Sequence, residues 1–277
     1  MKKQAFTVLA TLFSSLLLAQ GPKLELIWTT DTTLKVPESV LLDEGNKLLY
    51  VSCIDGQSGD KDGKGSIAKV ALDGKIINPN WVDGLNAPKG MGIYKGKLYV
   101  ADLTEVVVID IKKGTIIEKI PVPESVFLND ISIDAKGTVY VTDSRTFKLH
   151  KIEKGTVFLL IDKLQGPNGL LAVKDGLFIL DKGSLLKLSA SGQLSKIADG
   201  MDPSTDGIEM VKPREFIVSC WSGVIYYVHD NGQKTILLDS RNEKINTADI
   251  GYDVKNKIVY VPTFFKNSVM AYQINNN

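Results

Sequence analysis

Val139-Tyr140-Val141, reached through the polar turn Asp134-Ala135-Lys136-Gly137, is one of six versions of the same short strand. The others are Leu49-Tyr50-Val51, Leu98-Tyr99-Val100, Leu177-Phe178-Ile179, Phe216-Ile217-Val218 and Val259-Tyr260-Val261. Each follows a polar turn of the kind that closes a tight hairpin, such as Asp43-Glu44-Gly45-Asn46, Lys95-Gly96 or Lys174-Asp175-Gly176. A third strand comes after each, as in Ser66-Ile67-Ala68-Lys69-Val70 and Val224-Ile225-Tyr226-Tyr227-Val228. A Gly-containing turn then leads to a fourth, as Asp230-Asn231-Gly232-Gln233 leads to Thr235-Ile236-Leu237-Leu238. Four antiparallel strands repeated about every forty residues are the signature of a propeller blade, and six copies use almost the whole chain. The sequence therefore predicts an all-β, six-bladed β-propeller, a single domain over residues 20–277. The sixth repeat is one strand short after Ser268-Val269-Met270-Ala271-Tyr272-Gln273-Ile274. Leu24-Glu25-Leu26-Ile27-Trp28-Thr29 supplies that strand from the other end, closing the ring and covering an open sheet edge. An ordinary β-sandwich would account for the strands but not for their period or the terminal mismatch.

Composition limits the classes of function. The 277 residues are 44% hydrophobic, enough for a full core, so a disordered or fibrous chain is excluded. Lys and Arg number 33 against 32 Asp and Glu, and no basic stretch is interleaved with aromatics, which argues against nucleic acid as a partner. Lys2 and Lys3 precede an uncharged, mostly apolar run from Ala5 to Ala19, too short to span a bilayer comfortably and ending in small residues. Residues 1–19 thus read as a cleaved signal peptide and the protein as secreted or periplasmic, with no later run long enough to span a membrane. No cysteine follows the run to accept a lipid. An oxidising compartment permits disulfides, and Cys53 and Cys220 occupy equivalent places in two repeats. Those repeats are not neighbours in the ring, which puts the pair beyond the reach of about 7 Å that a disulfide needs and predicts two buried free thiols.

In a propeller the first strand of each blade lines the central channel. Counting back from the anchor of each second strand brings up Glu38, Lys89, Asn129, Asn168, Asp206 and Asp249, each embedded in apolar or glycine-rich sequence. Glu38, Asn129, Asn168 and Asp206 form an all-oxygen, partly anionic set, which suits a hard cation such as calcium better than zinc or copper. The alternative is that these groups hydrogen-bond to the loops leading into the blades or to channel water, as buried polar groups must.

At these residues the chain resembles the gluconolactonase, senescence-marker-protein and luciferin-regenerating-enzyme family. The resemblance lies in the Glu of blade 1, the Asn129-Asp130 pair of blade 3, Asn168-Gly169 of blade 4 and Asp206-Gly207 of blade 5, and extends from about Leu24 to the C-terminus. It implies a six-bladed propeller with calcium or a similar divalent ion in the channel, held by Glu38, Asn168 and Asp206, with Asn129 as a ligand or a water-mediated partner. It also implies hydrolysis of a lactone or related ester, with Asp206 activating a water or attacking the substrate. A cation that polarises the carbonyl and a carboxylate that accepts a proton from water need no Ser or His. His150 and His229 accordingly read as structural residues of third strands.

Phe127 stands where sugar-lactonase members carry an arginine, which argues against a polyhydroxylated lactone. Lys89 and Asp249 add opposite charges, read as a channel salt bridge or as contacts to a substrate anion. Loops after the second strands overhang the same face, making Arg145, Phe147, Trp221, Phe264, Phe265 and Lys266 candidate pocket walls beside Lys89, Phe127, Asp130 and Asp249. The longest of them, Asp55 to Gly65, is a candidate lid; its Asp-x-Asp-Gly fragment lacks the distal Glu of a calcium loop. Two functions follow: a calcium-dependent hydrolase of a lactone or ester, or a non-catalytic propeller that binds a ligand or protein around a structural ion. The chain is taken to act as a monomer.

Overall fold

A computed structural model describes residues 21–275, so the proposed signal peptide lies outside the described residues. Six four-stranded antiparallel sheets make a six-bladed β-propeller. The inner strands are Pro37–Asp43, Pro88–Tyr94, Leu128–Ile133, Pro167–Val173, Thr205–Lys212 and Gly251–Asp253. Beside them run the second strands Leu48–Cys53, Lys97–Asp102, Val139–Asp143, Gly176–Asp181, Glu215–Cys220 and Ile258–Pro262, which contain all six anchors read from the sequence. The strand Lys23–Thr29 pairs antiparallel with Val269–Asn275, from Lys23 opposite Asn275 to Thr29 opposite Met270, and completes the sixth blade.

Local chemistry explains the hairpins. Lys95 and Gly96 both have positive φ, 47° and 75°, and join Tyr94 to its partner Lys97. That is the two-residue turn whose twist matches paired strands, and glycine at its second position makes it cheap. The second strands are near-continuous apolar runs, buried along almost their full length, because blades cover both of their faces. The outermost strands alternate toward solvent.

The core is correspondingly divided into wedges. One cluster fills each junction between neighbouring blades, as where Phe178 and Leu180 of blade 4 meet Ile208, Phe216 and Val218 of blade 5. The junction between blades 6 and 1 packs Tyr260 and Val269 against Val40 and Val51, so the last blade is held to the first by apolar contact as well as by the shared strand. Apolar surface thus lies between blades, and the axis is left to polar side chains. Cys53 and Cys220 are buried free thiols in separate wedges, as expected. His150 is buried within the third strand Lys148–Glu153, whereas His229 falls just past the third strand Val224–Val228, in a turn where it bonds the Thr235 hydroxyl at 3.0 Å.

Deleting residues 21–29 would strip the outer strand from blade 6 and bare the Val269–Asn275 edge. The expected result is a melting temperature lower by ~10 °C or more by circular dichroism, with association visible by size exclusion. A monomer of unchanged stability would show that the ring does not depend on this strand.

Candidate functional site

Pairing slips out of register at the start of five inner strands, between Pro37 and Ser39, Pro88 and Met91, Leu128 and Ile131, Pro167 and Leu170, and Thr205 and Ile208. Glu38, Lys89, Asn129, Asn168 and Asp206 sit in those slips. A bulge frees a residue from the ladder and re-aims its side chain, here toward the axis. In blades 1, 3 and 5 a hydroxyl on the second strand takes up the freed amide: Ser39 N–H donates to Ser52 Oγ at 2.9 Å, Asp130 N–H to Thr142 Oγ1 at 3.0 Å and Gly207 N–H to Ser219 Oγ at 2.8 Å. Thr142 and Ser219 then donate onward to the carbonyls of Asn168 and Ala248 in the next blade, at 2.9 and 2.7 Å. Backbones approach closely at these junctions. A Cβ on Gly169 would lie 2.2 Å from the Asp206 carbonyl oxygen, and one on Gly207 2.4 Å from the Ile250 nitrogen, so only glycine fits.

One mouth of the channel opens into a cavity of about 470 Å³ that gathers Glu38, Lys89, Asn129, Asn168 and Asp206, with Phe127, Trp221, Phe264 and Phe265 as aromatic walls. Glu38, Lys89, Asn129 and Asp206 are buried. Asn168 donates through Nδ2 to Asp206 Oδ1 at 2.9 Å, and Asn129 donates to Ser144 Oγ at 2.9 Å, which in turn donates to the Pro167 carbonyl at 2.5 Å. Both amides are thus held by their nitrogens, leaving the oxygens as free donors of lone pairs. Asn168 Oδ1 and Glu38 Oε2 are buried without a hydrogen-bond partner. Buried acceptors are normally satisfied, and a carboxylate oxygen and an amide oxygen left over in one cavity are the donor types that a hard divalent cation takes. Among the described residues no three of His, Cys, Asp and Glu are grouped for a metal, so such a site draws half of its donors from amides.

Electrostatics point the same way. Burial, then repulsion from Asp206, pushes the Glu38 carboxyl well above the usual range, although Lys89 pulls it back. Burial and Asp249 push Asp206 up, against the Asn168 hydrogen bond. Lys89 is brought down to about 8 by burial, with Glu38 opposing. Its ammonium donates to the carbonyls of Ala87 and Ser58, at 2.8 and 3.1 Å, and lies 4.3 Å from the centre of the Phe127 ring, which the Arg145 guanidinium also approaches at 4.3 Å.

Several expected site residues lie elsewhere. Asp130 and Asp249 line a second cavity of about 240 Å³ farther down the channel, with Glu209. Asp130 is committed to the backbone amides of Ile131 and Leu170, and Asp249 accepts from Ser39 Oγ at 2.5 Å. The expected salt bridge of Lys89 with Asp249 does not form among the described residues: Lys89 bonds two carbonyls at the other end of the channel. Arg145 touches the site only through the ring of Phe127, and Phe147, half exposed at φ 59°, and Lys266 are not part of the cavity wall. Of the candidate lid only Ser58 reaches the cavity. Ser144 was missed, as were Asp102, Asp143 and Asp181, which end three second strands and accept amide hydrogen bonds from the loops before the inner strands of their own blades. Their recurrence at strand ends was the available signal.

Fold and channel define the chain as a six-bladed propeller with an anionic, amide-lined axis and an aromatic-walled cavity at one mouth. It is similar over 92% of its length to a streptogramin B lyase, at 12% identity, 98% coverage of that chain and a TM-score of 0.68. It is also similar to a catalytically inactive virginiamycin B lyase variant from Staphylococcus aureus with quinupristin, at 14% identity, 91% and 99% coverage and a TM-score of 0.64. A chain of a nidogen/laminin complex matches at 17% identity, 73% and 79% coverage and a TM-score of 0.60. These likenesses show the fold. No known family and no curated protein matches the chain. Among the described residues no helix is long and apolar enough to cross a membrane.

Two outcomes are expected. Gly169→Ala should cost about 1–3 kcal/mol in urea unfolding, because the methyl collides with the backbone that carries Asp206; an unchanged midpoint would show that the blades separate freely there. Burial raises Asp249 from 3.8 to about 7 and Glu209 from 4.5 to about 8. Asp249 is partly open to its cavity, so this desolvation comes from the channel walls. The folded state then holds protons that the unfolded state has released, and stability falls as pH rises from about 4 to about 8. Melting curves in chelator should show that decline, with a shallower slope for Asp249→Asn; a rise over this window would contradict the assignment.

Proposed function

We propose that the wide mouth of the channel hydrolyses a lactone or related ester with the help of a divalent cation, calcium by the nature of its donors. Glu38, Asn129, Asn168 and Asp206 would hold the ion. The observation that carries this reading is the pair of unpartnered buried oxygens, Glu38 Oε2 and Asn168 Oδ1, in one cavity with the Asp206 carboxylate. When bound, such a cation supplies polarisation of the substrate carbonyl and charge to offset the oxyanion.

The chain supplies the rest. Asn168 fixes Asp206 by its Oδ1, which leaves Oδ2 to accept a proton from the attacking water. The water oxygen bonds to the acyl carbon, the acyl C–O bond breaks, and the proton held by Asp206 passes to the departing alkoxide. Burial and Asp249 raise this carboxyl above the usual range, which makes it a stronger base toward the attacking water than a free aspartate. Lys89, buried and beside Glu38, adds positive charge to the opposite wall, and Phe127, Trp221 and Phe264 keep bulk water from the axis. The resemblance in the four channel motifs supports this chemistry, and the apolar N-terminal run supports action outside the cytoplasm.

A binding module with a structural ion is the second reading, favoured by the exposure of Trp221 and Phe265 at the rim, 38% and 63%. Titration calorimetry with calcium, beside a lactone and aryl-ester panel with and without chelator, separates the two. Asp206→Asn is expected to weaken calcium binding by at least ~10-fold and to lower kcat by about 10²–10⁴. Turnover that is indifferent to chelator and to Asp206 would refute the hydrolase, and ion binding without turnover would favour the module.

A further inference from the structure

The rim over blades 5 and 6 is built as a fixed aromatic corner. Trp221 meets Phe264 and Phe265 with ring centres 5.5 and 5.9 Å apart and planes at 81° and 80°, and the two Phe rings meet at 4.8 Å and 89°. The backbone beneath is pinned. Trp221 N–H donates to the Ser204 carbonyl at 2.8 Å, and the Trp221 carbonyl accepts from Asn246 Nδ2 at 2.8 Å. Phe264 has φ 48°, a costly value for a bulky residue, and its turn is clamped by Thr263 bonded to Ser268 through both backbone and hydroxyl. Asn267 then ties the turn to blade 1, accepting from Val36 N–H at 2.9 Å. The strained backbone belongs to the buried Phe264, and it holds Trp221 and Phe265 exposed around that ring at the edge of a cavity, an arrangement that serves recognition rather than stability.

We propose that this corner selects substrates in which the reacting carbonyl carries or adjoins an aromatic ring, so that the ring rests against Trp221 and Phe265 while the carbonyl lies on the axis. The proposal rests on the hydrolase reading for the carbonyl and on the corner alone for the ring. Blades 5 and 6 lie across the channel from blades 2 and 3, where Lys89 and Arg145 crowd Phe127, so the cavity has one cationic side and, opposite it, a side with an aromatic rim above Asp206. Perpendicular rings present edges and faces that a further flat ring meets in the edge-to-face or offset geometry aromatic pairs prefer, an advantage that an alkyl chain of equal area lacks. The volume, about 470 Å³, accommodates a fused two-ring lactone.

Two lactams that resist hydrolysis read the ring apart from the chemistry: dihydroquinolinone and δ-valerolactam, the same cyclic amide with and without a fused benzene ring. With the calcium-loaded full chain, dihydroquinolinone should bind ~10-fold more tightly by calorimetry, and Trp221→Ala and Phe265→Ala should each reduce that preference several-fold. In parallel, Phe265→Ala should lower kcat/KM for dihydrocoumarin relative to that for δ-valerolactone; Phe265 is 63% exposed, so its loss leaves the fold intact. Equal lactam affinities, or a preference that survives both substitutions, overturn the aromatic selection. A ring preference without hydrolysis of either lactone supports the corner while refuting the hydrolase, and hydrolysis without a ring preference does the reverse.

Discussion

Each blade buries its faces only against its two neighbours, so no blade is complete until the ring is. The pairing of Lys23–Thr29 with Val269–Asn275, with Tyr260 and Val269 packed on Val40 and Val51, is the contact that finishes the cycle. Everything at the axis follows from it. Six wedges of apolar side chains fill the space between blades, and inner strands crowd until backbones touch, as at Gly169 and Gly207. Crowding of that kind fixes the positions of channel side chains without any core of their own.

A closed ring also makes the channel a poor place for charge. Glu38, Asp130, Asp206, Glu209 and Asp249 face it from four blades, and Lys89 is the single cation lining either channel cavity among the described residues. Their carboxyls are raised by burial before repulsion is counted. The two ends deal with this differently. At the narrow end Asp130 and Asp249 are bonded to backbone amides and a serine hydroxyl. At the wide end Asn168 and Asn129 are held by their nitrogens, and oxygens are left over. The end with unsatisfied acceptors is also the one with the aromatic walls, and on this coincidence we propose it as the functional mouth.

Much of this was legible in the chain before any coordinates. Tyr-Val-like anchors recur because a second strand, covered on both faces, must be a short apolar run, and the period of such runs is a local property. Glu38, Lys89, Asn129, Asn168 and Asp206 could be placed at one mouth because a polar residue in an apolar strand start has only the axis to face. Less legible were the hydroxyls of Ser52, Thr142 and Ser219 and the carboxylates of Asp102, Asp143 and Asp181, whose partners lie in other strands or loops.

The sequence by itself determined the number of blades, the strand that closes them and the identity of the polar residues on the axis, since each depends on local pattern and on chain order. Only the tertiary structure decided that Asp249 serves the opposite end of the channel from the other five. Lys89 and Asp249 occupy equivalent places in the repeat, yet a bulge turns Lys89 toward the carbonyls of Ala87 and Ser58, while Asp249, ahead of a shortened inner strand, faces Ser39 at the other end. A bulge is a matter of how two strands register, and that is settled by packing against the neighbouring blade rather than by the residues of one strand.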